Sequence, residues 1–329
     1  MPYKKLDHTG LKILPLADRE NKISVKNILP LDASSTYTNH EIDALAKEIL
    51  KAKSAGGQII WMMGAHVLRQ GCSRMIINLM ERGLITHLAT NAAVAIHDFE
   101  MAYLGATLED VEYYIKDGRF GNWEETGRLI NEAVIRGYEA GIGFGEAIGR
   151  MIGEDQYLAI AYPGLSIFAA AVKLGIPITV HKGIGHDITD QHPSADFAAI
   201  GKTSGDDFLI FAESISKLEN GVFLNLGSSV TGPEVYLKAL SIARNLASQQ
   251  GTEIRHFTTG VFDLVPLGDW RETDIVNYRN PGRMNDPRYY FRPLKSILVR
   301  TVKDGGRSYY VQGNFKETIP ALYRKLLIP

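Results

Sequence analysis

The chain of 329 residues has little of several features that would assign a class of protein at once. It has a single cysteine, Cys72, which excludes an internal disulfide and is typical of a reducing compartment. Its formal net charge of -1 gives no electrostatic case for binding nucleic acid or an anionic membrane. No run approaches the roughly 18 apolar residues of a membrane span, and the N-terminus lacks the apolar segment of a signal peptide. We therefore expect a soluble cytoplasmic protein.

Short motifs that would identify a chemistry are missing as well. The sequence has no G-x-G-x-x-G fingerprint after its first predicted strand and no H-E-x-x-H metal motif. What it does have is 45% hydrophobic and 22% charged residues, which is enough apolar material to bury a sizeable core.

Short apolar runs alternate with helix-like segments along most of the chain. Such a run, typical of a buried parallel strand, lies at 58–63. Further strand candidates lie at 86–90, 157–161, 177–181, 208–211, 221–226 and 253–258. Helices are predicted at about 39–55, 71–82 and 122–152, the last with a glycine-rich interruption at Gly141–Gly145. This alternation predicts an α/β fold in which a parallel sheet carries helices on both faces. We interpret residues 1–40 as an N-terminal arm and residues 41–329 as one domain.

Two loops after the first predicted strands carry residues suited to a ligand site. Gly64–Gly71 leads from a strand into a helix, which favours either an anion site or a plain turn. In Thr90–Glu100, small residues allow a backbone to approach a ligand closely, and His97 lies just inside the next helix. The alternative for this second segment is helix capping and close packing on the sheet.

The densest polar segment is His181–Asp196, with three histidines, three aspartates and a lysine within sixteen residues. At the carboxyl end of a strand it favours a polar ligand-binding loop. A metal site is an alternative, because imidazole and carboxylate suit several divalent ions. A solvated loop is the third interpretation.

Two further strand ends complete the set. Gly227 and the following serines can offer backbone N–H groups to a phosphate, and Glu234 lies in the first turn of the next predicted helix. Asp263 ends another predicted strand, where an acidic side chain either accepts ribose hydroxyls or caps a turn.

In this order, the segments resemble deoxyhypusine synthase and its relative homospermidine synthase. The resemblance covers roughly residues 45–325 and is carried by the shared order of the segments Gly64–Gly71, Ile176–Asp187, Gly221–Val230 and Thr258–Asp263. It implies a Rossmann-like parallel sheet, a homotetramer with sites at subunit interfaces, and a small amine as substrate. In that family, spermidine is oxidised by hydride transfer to NAD, and its aminobutyl group passes through an enzyme lysine to an acceptor amine.

The resemblance also implies NAD as the cofactor. The positions that it places around the nucleotide are Gly64, Ala65, Gly71, Thr90, Asn91, Ala92, Asp187, Gly227, Ser228, Ser229, Thr259 and Asp263.

Three departures from the family pattern are expected on the substrate side. The lysine position falls at Tyr310, and no lysine lies between Lys303 and Lys316. A phenol cannot form the imine that an amine forms, so the covalent step is lost. The family's paired histidines are replaced by Pro233-Glu234, and its glutamates by Ile96-His97.

We therefore expect a deoxyhypusine synthase-like protein that binds NAD and acts on an amine or polyamine-like molecule by a lysine-independent route. The catalytic candidates are Tyr310, His186, Glu234 and His97. Two alternatives stay open. One is a relative that binds the nucleotide without catalysis, and the other is a metal-dependent hydrolase that uses the cluster His181, His186, Asp187 and His192.

Overall fold

The computed structural model describes residues 3–271, 276–277 and 279–327. The strands within these ranges are β1 (Ile23–Ser24), β2 (Ile59–Met63), β3 (His87–Asn91), β4 (Ala106–Thr107), β5 (Ile178–His181), β6 (Val222–Leu226), β7 (Thr258–Asp263) and β8 (Arg307–Gln312). The α-helices are α1 (His40–Ser54), α2 (His66–Arg69), α3 (Ser73–Glu81), α4 (Ala92–Tyr103), α5 (Val111–Tyr114), α6 (Glu124–Ala140), α7 (Phe144–Glu154), α8 (Ile167–Leu174), α9 (Phe197–Ser216), α10 (Thr231–Gln249) and α11 (Phe315–Leu327). None of the helices in these ranges combines the length and apolar character that crossing a bilayer requires.

Six strands form one parallel sheet in the order β5-β3-β2-β6-β7-β8. Every residue of β2 and β6 is buried, as expected for central strands that are covered on both faces. Counted from β2, the strand order is that of a Rossmann fold, with the chain running outward first on one side of β2 and then on the other. The predicted α/β class with helices on both faces is confirmed.

The side chains of each strand alternate between two apolar cores. Trp61 of β2 packs in the core that contains α1, α3, α4 and α11. Its neighbours Ile60 and Met62 point the other way, into the core that contains α9, α10 and the π-helix Leu294–Arg300. The period of two along the strand therefore distributes the helices over both faces of the sheet.

The first residues of the chain pack beside this sheet. β1 pairs antiparallel with β4, and Leu14 forms an isolated bridge with Trp123. The N–H of Leu29 donates to the carbonyl of Gly71 at 2.9 Å. The segment from Leu14 to Leu29 thus contacts both the loop before α3 and the start of α6.

Several predicted strands are confirmed, and three are wrong. Residues 157–161 contain no strand, and Phe208–Phe211 lies within α9. A short apolar run does not distinguish a strand from a buried turn of helix, and here the run belongs to a helix of 20 residues. The strand predicted at 253–258 begins only at Thr258. The long helix predicted at 122–152 is two helices, because Gly141 at φ 69° ends α6.

The outer edge of β5 is covered by a side chain rather than by another strand. Asp207 of α9 accepts hydrogen bonds from the backbone N–H of Val180 at 2.7 Å and of Gly145 at 2.9 Å. It therefore satisfies one donor of the edge strand and one at the start of α7, which is one way of protecting a sheet edge. Burial raises the pKa of this carboxyl to about 8.

We expect Asp207→Asn to remove a pH dependence of stability. Because the pKa in the folded protein lies above the ordinary value of 3.8, the folded state holds this proton more tightly than the unfolded chain does. The stabilisation is full below about pH 4 and is lost as the pH rises towards 8. The difference in free energy of unfolding, wild type minus variant, should therefore decrease over this interval in denaturant titrations.

The change Asp32→Asn serves as the control, because Asp32 is exposed and is not one of the charges that raise the pKa of Asp207. This variant should show the same dependence of the free energy of unfolding on pH as the wild type. A difference between wild type and Asp207→Asn that stays constant from pH 4 to 8 would contradict the role given to this carboxyl.

Candidate functional site

The loops that follow the six parallel strands all lie at one edge of the sheet, and two of them touch where the strand order reverses. The N–H of Gly64, after β2, donates to the carbonyl of Leu226 at 2.9 Å. A Cβ atom on Gly64 would lie 2.5 Å from the carbonyl oxygen of Gly227, so only glycine fits there. In open α/β sheets, ligands bind outside the carboxyl ends of the strands at such a reversal.

The turn after β6 is built by side chains beneath it. Gly227 has a φ of 62°, which favours glycine. The buried Asn225 donates from Nδ2 to the carbonyl of Ser228 at 3.0 Å. The hydroxyl of Ser228 accepts from the N–H of Gly232 at 2.8 Å and so caps the start of α10. The Ser228 side chain is therefore committed to the turn, whereas Ser229 is exposed.

Asp263 ends β7 beside this turn. Its Oδ1 accepts from the N–H of Leu264 at 2.8 Å and of Val265 at 3.3 Å. Burial raises the pKa of the carboxyl, and hydrogen bonds from these two N–H groups and from Ser229 oppose the shift. Asp263 thus joins the ends of β6 and β7, as a turn cap does.

The end of β3 contributes mostly packing. The hydroxyl of Thr90 is buried and donates to the carbonyl of Thr179 at 3.0 Å. The side chain of Asn91 accepts from the N–H of Val94 at 3.3 Å and caps α4. Ala92 is buried in the core. Of the three predicted contacts at this strand end, Asn91 alone is partly exposed.

The polar segment after β5 is organised around a buried lysine. The Nζ atom of Lys182 lies 2.7 Å from Asp187 Oδ2 and 2.7 Å from Asp190 Oδ1, and its side chain is 1% exposed. Asp190 Oδ2 also accepts from the N–H of Gly185 at 2.6 Å. Two carboxylates around one ammonium fix the shape of the loop. Asp187, a predicted cofactor contact, is therefore engaged in this ion pair.

The histidines of this segment point in different directions. His181 lies in the sheet, with Nε2 3.2 Å from the hydroxyl of Thr179, and burial lowers its pKa to about 3. His192 packs against Gly127 and lies 2.7 Å from the hydroxyl of Ser194, whereas His186 is exposed. Within the residues that the structure describes, no three His, Cys, Asp or Glu side chains are arranged to hold a metal ion. The hydrolase alternative therefore lacks a ligand set in these residues.

His97 is held in one tautomer by a relay of hydrogen bonds. The hydroxyl of Thr107 donates to Glu100 Oε2 at 2.6 Å, so its lone pair accepts from Nδ1–H of His97 at 2.7 Å. Glu100 is in turn paired with Arg19 at 2.7 Å, and both side chains are buried. Burial lowers the pKa of His97 to about 4. The imidazole is therefore neutral near pH 7, with its open lone pair on Nε2.

The side chains of two other predicted catalytic residues are held by a hydrogen bond or by ion pairs. Tyr310 lies in the middle of β8, opposite Val261, and its buried hydroxyl donates to the carbonyl of Val265. Burial also raises the pKa of this phenol. Glu234 lies in the first turn of α10, paired with Lys238 and, at 2.5 Å, with Arg292. The Lys238 ammonium is the main cause that lowers the pKa of Glu234.

The three departures from the family pattern, at Tyr310, Glu234 and His97, were expected on one side of the site, but they do not share one face of the sheet. The side chain of Tyr310 packs in the core under α9 and α10, whereas α4, which carries His97, packs in the opposite core.

The predicted cofactor contact Thr259 does not lie at the carboxyl edge of the sheet. It lies four residues before the end of β7, about 13 Å away, and its hydroxyl donates to the carbonyl of Ile297 at 3.0 Å. Gly71, at φ 81°, faces the carbonyl of Asn27.

A cavity of about 370 Å³ opens at this edge between the loop after β5, α9 and the first turn of α10. Its size is in the range of small-molecule pockets. Its polar and aromatic lining includes His181, Lys182, His186, Ser204, Phe208 and Thr231. His186 is the predicted catalytic residue that faces open space beside this cavity.

The sequence does not show whether Arg69, the last residue of α2, points into a pocket. Its Nε atom is buried, and it has no hydrogen-bond partner among the described residues. A cation directly after the first strand of the sheet is a weak signal in a sequence, because most arginines at helix ends are solvated.

Comparison with known proteins supports the same type of fold. A protein-family model described as "Arginine dihydrolase ArgZ-like, C-terminal, Rossmann fold" matches residues 43–124. Over 100 residues the chain is 29% identical to an ornithine cyclodeaminase of Archaeoglobus fulgidus, which covers 30% of this chain and 24% of that protein.

Solved structures give the same result. The arginine dihydrolase ArgZ, from the ornithine–ammonia cycle in cyanobacteria, has a TM-score of 0.50 at 16% identity, covering 88% of this chain and 33% of its own. AgrE, in a ternary complex with ornithine and NAD+, has a TM-score of 0.50 at 14% identity, covering 90% and 34%. These identities show the fold alone, and the chain spans about a third of the length of both proteins.

A protein of Entamoeba histolytica assigned as a deoxyhypusine synthase has a TM-score of 0.45 at 11% identity, covering 88% of this chain and 87% of its own. The resemblance to deoxyhypusine synthase is thus one among several, and the comparisons do not single it out.

We expect Gly64→Ala to destabilise the protein by about 1–3 kcal/mol, because the new Cβ would press on a backbone carbonyl that cannot rotate away. Gly164→Ala is the matched control, since a Cβ there has no atom within 4 Å. Denaturant titrations of the two variants should differ by this amount. Equal free energies of unfolding would show that the two loops do not touch.

Proposed function

We propose that the chain binds NAD at the carboxyl edge of the sheet and acts on a small amine, of the amino-acid or polyamine class, by a route that needs no enzyme lysine. The observation that supports it most is the contact between the loops of Gly64 and Gly227 at the reversal of a Rossmann strand order. The ArgZ-like Rossmann match and the AgrE complex with ornithine and NAD+ are in keeping with this proposal.

The residues at the reversal fit a dinucleotide. Gly64 and Gly227 leave no side chain between a ligand and the backbone, and Ala65 and Ser229 add little bulk. Asn91 and Asp263 border the same edge with polar groups. These residues would hold NAD, which, when bound, supplies an acceptor for hydride. Thr90 and Thr259 instead donate to backbone carbonyls, of Thr179 and Ile297, and Gly71 faces the carbonyl of Asn27.

His97 is the best-placed proton acceptor among the predicted catalytic residues. An ammonium group must lose a proton before its carbon can give up hydride, so an unprotonated base is needed. His97 is neutral, and its relay through Thr107 to Glu100 fixes Nδ1 as the donor and leaves Nε2 as the acceptor. Tyr310 cannot replace the family's lysine, because its hydroxyl is bonded to the backbone and it carries no amine.

A second candidate function is nucleotide binding without turnover. The engagement of Tyr310 with a carbonyl and of Glu234 with two cations favours it, because neither group is free to act on a substrate. This candidate predicts that NAD binds but that no amine reduces it to NADH.

We expect NAD+ to bind with a dissociation constant in the micromolar range, as measured by calorimetry on the purified chain. Incubation with NAD+ and L-ornithine, putrescine or spermidine should then produce NADH fluorescence with at least one amine. Binding without fluorescence would support the second candidate. An absence of binding at millimolar NAD+ would reject both proposals.

We expect His97→Gln to lower the turnover rate by about 100-fold while NAD+ affinity changes little, because only the proton acceptor is removed. His40→Gln is the matched control, since the side chain of His40 is 92% exposed. The wild-type rate should show no ionisation of His97 between pH 5 and 9, because burial keeps its pKa at about 4. Equal rates for the two variants would exclude His97 as the base.

A further inference from the structure

The half-buried Arg69 has no counter-charge. It follows the strand β2 within six residues and lies on α2, which packs against α4 and α11 on one face of the sheet. Its Nε atom is inaccessible to water and without a hydrogen bond, and no carboxylate of the described residues pairs with the guanidinium. Taking a charge out of water is costly unless a partner is supplied.

Among the described residues, the groups on which the Arg69 charge acts are two imidazoles. His66, on the same turn, contacts Phe315 edge to face, with 6.0 Å between the ring centroids. The Arg69 charge contributes to the low pKa of both His66 and His97, which places the guanidinium within electrostatic range of the two imidazoles. The nearest acid of the relay, Glu100, is already neutralised by Arg19.

We propose that Arg69 is an oxyanion-binding residue, completed by a phosphate or carboxylate group of a ligand at the carboxyl ends of β2 and β3. The guanidinium offers five donors in a planar fork that fits either group in a bidentate manner. A carboxylate bound here would belong to an amino acid, and its amine would then lie on the side of His97. A phosphate would belong to the dinucleotide. This inference rests on the proposed function for its choice of ligands, but its test does not.

The test compares Arg69→Gln with Arg74→Gln, which removes the same charge from an exposed arginine on α3. Calorimetry would use NAD+, L-ornithine and putrescine, which is ornithine without the carboxylate. We expect Arg69→Gln to weaken one oxyanion ligand by about 10- to 100-fold, the range for a charged hydrogen bond. Arg69→Lys should restore part of the affinity, and Arg74→Gln should stay within twofold of the wild type.

The ligands distinguish the two sources of the oxyanion. Loss of NAD+ affinity with ornithine unchanged assigns Arg69 to phosphate. Loss of ornithine affinity with putrescine unchanged assigns it to a carboxylate. Equal losses for ornithine and putrescine, or values within twofold of Arg74→Gln for all three ligands, would overturn the proposal.

Inorganic pyrophosphate separates this inference from the proposed function. If the wild type binds neither NAD+ nor ornithine, the proposed function fails, yet millimolar pyrophosphate should still raise the Tm of the wild type and not that of Arg69→Gln. An absence of this difference would reject Arg69 as an oxyanion site. Without ligand, the Tm of Arg69→Gln should not fall below that of Arg74→Gln, because among the described residues the guanidinium has no hydrogen bond or ion pair to lose. A lower value would show a structural role.

Discussion

The contact between the loops of Gly64 and Gly227 is the constraint on which the rest of the site depends. β2 and β6 are paired so that Met63 lies opposite Leu226, and both strands therefore end at the same level. From this point the chain leaves β2 towards one face of the sheet and β6 towards the other. In open α/β sheets such a divergence of the helical layers is where a ligand crevice forms. Here the absence of a Cβ at Gly64 allows the two backbones to meet.

Most polar side chains at this edge build the loops and are not free for a ligand. Asn225 and Ser228 hold the turn after β6, and Lys182 is enclosed by its two aspartates. A ligand at this edge would therefore meet mainly backbone groups, together with the few side chains that have no partner among the described residues. Arg69 and the Nε2 atom of His97 are such groups. Arg69 is a cation with no carboxylate partner among the described residues, and Nε2 of His97 is an unprotonated nitrogen. Together they would suit a ligand that carries both an anionic group and an amine.

The sequence allowed the parallel sheet and its strand-end loops to be predicted, because the apolar run 59–63 and the mostly apolar run 222–226 have few alternatives. It misplaced Thr259 because the strand that contains it begins five residues later than predicted, which moves a loop residue into the sheet. Phe208–Phe211 was predicted as a strand because that run alone does not show a helix; only the neighbouring turns of α9 identify it as one. The roles of Lys182 and Arg69 could not be predicted, since an ion pair and a missing ion pair are properties of the packing.

The three departures from the deoxyhypusine synthase pattern therefore have different physical meanings. At Tyr310 the phenol is bonded to a carbonyl within the core under α9 and α10, so its contacts are structural. At Glu234 the carboxylate joins α10 to Arg292 near the protein surface. At His97 the relay from Arg19 through Glu100 and Thr107 fixes the tautomer and leaves Nε2 without a proton. A chemistry that dispenses with the lysine would thus be centred on α4 and α2, on the face of the sheet opposite Tyr310.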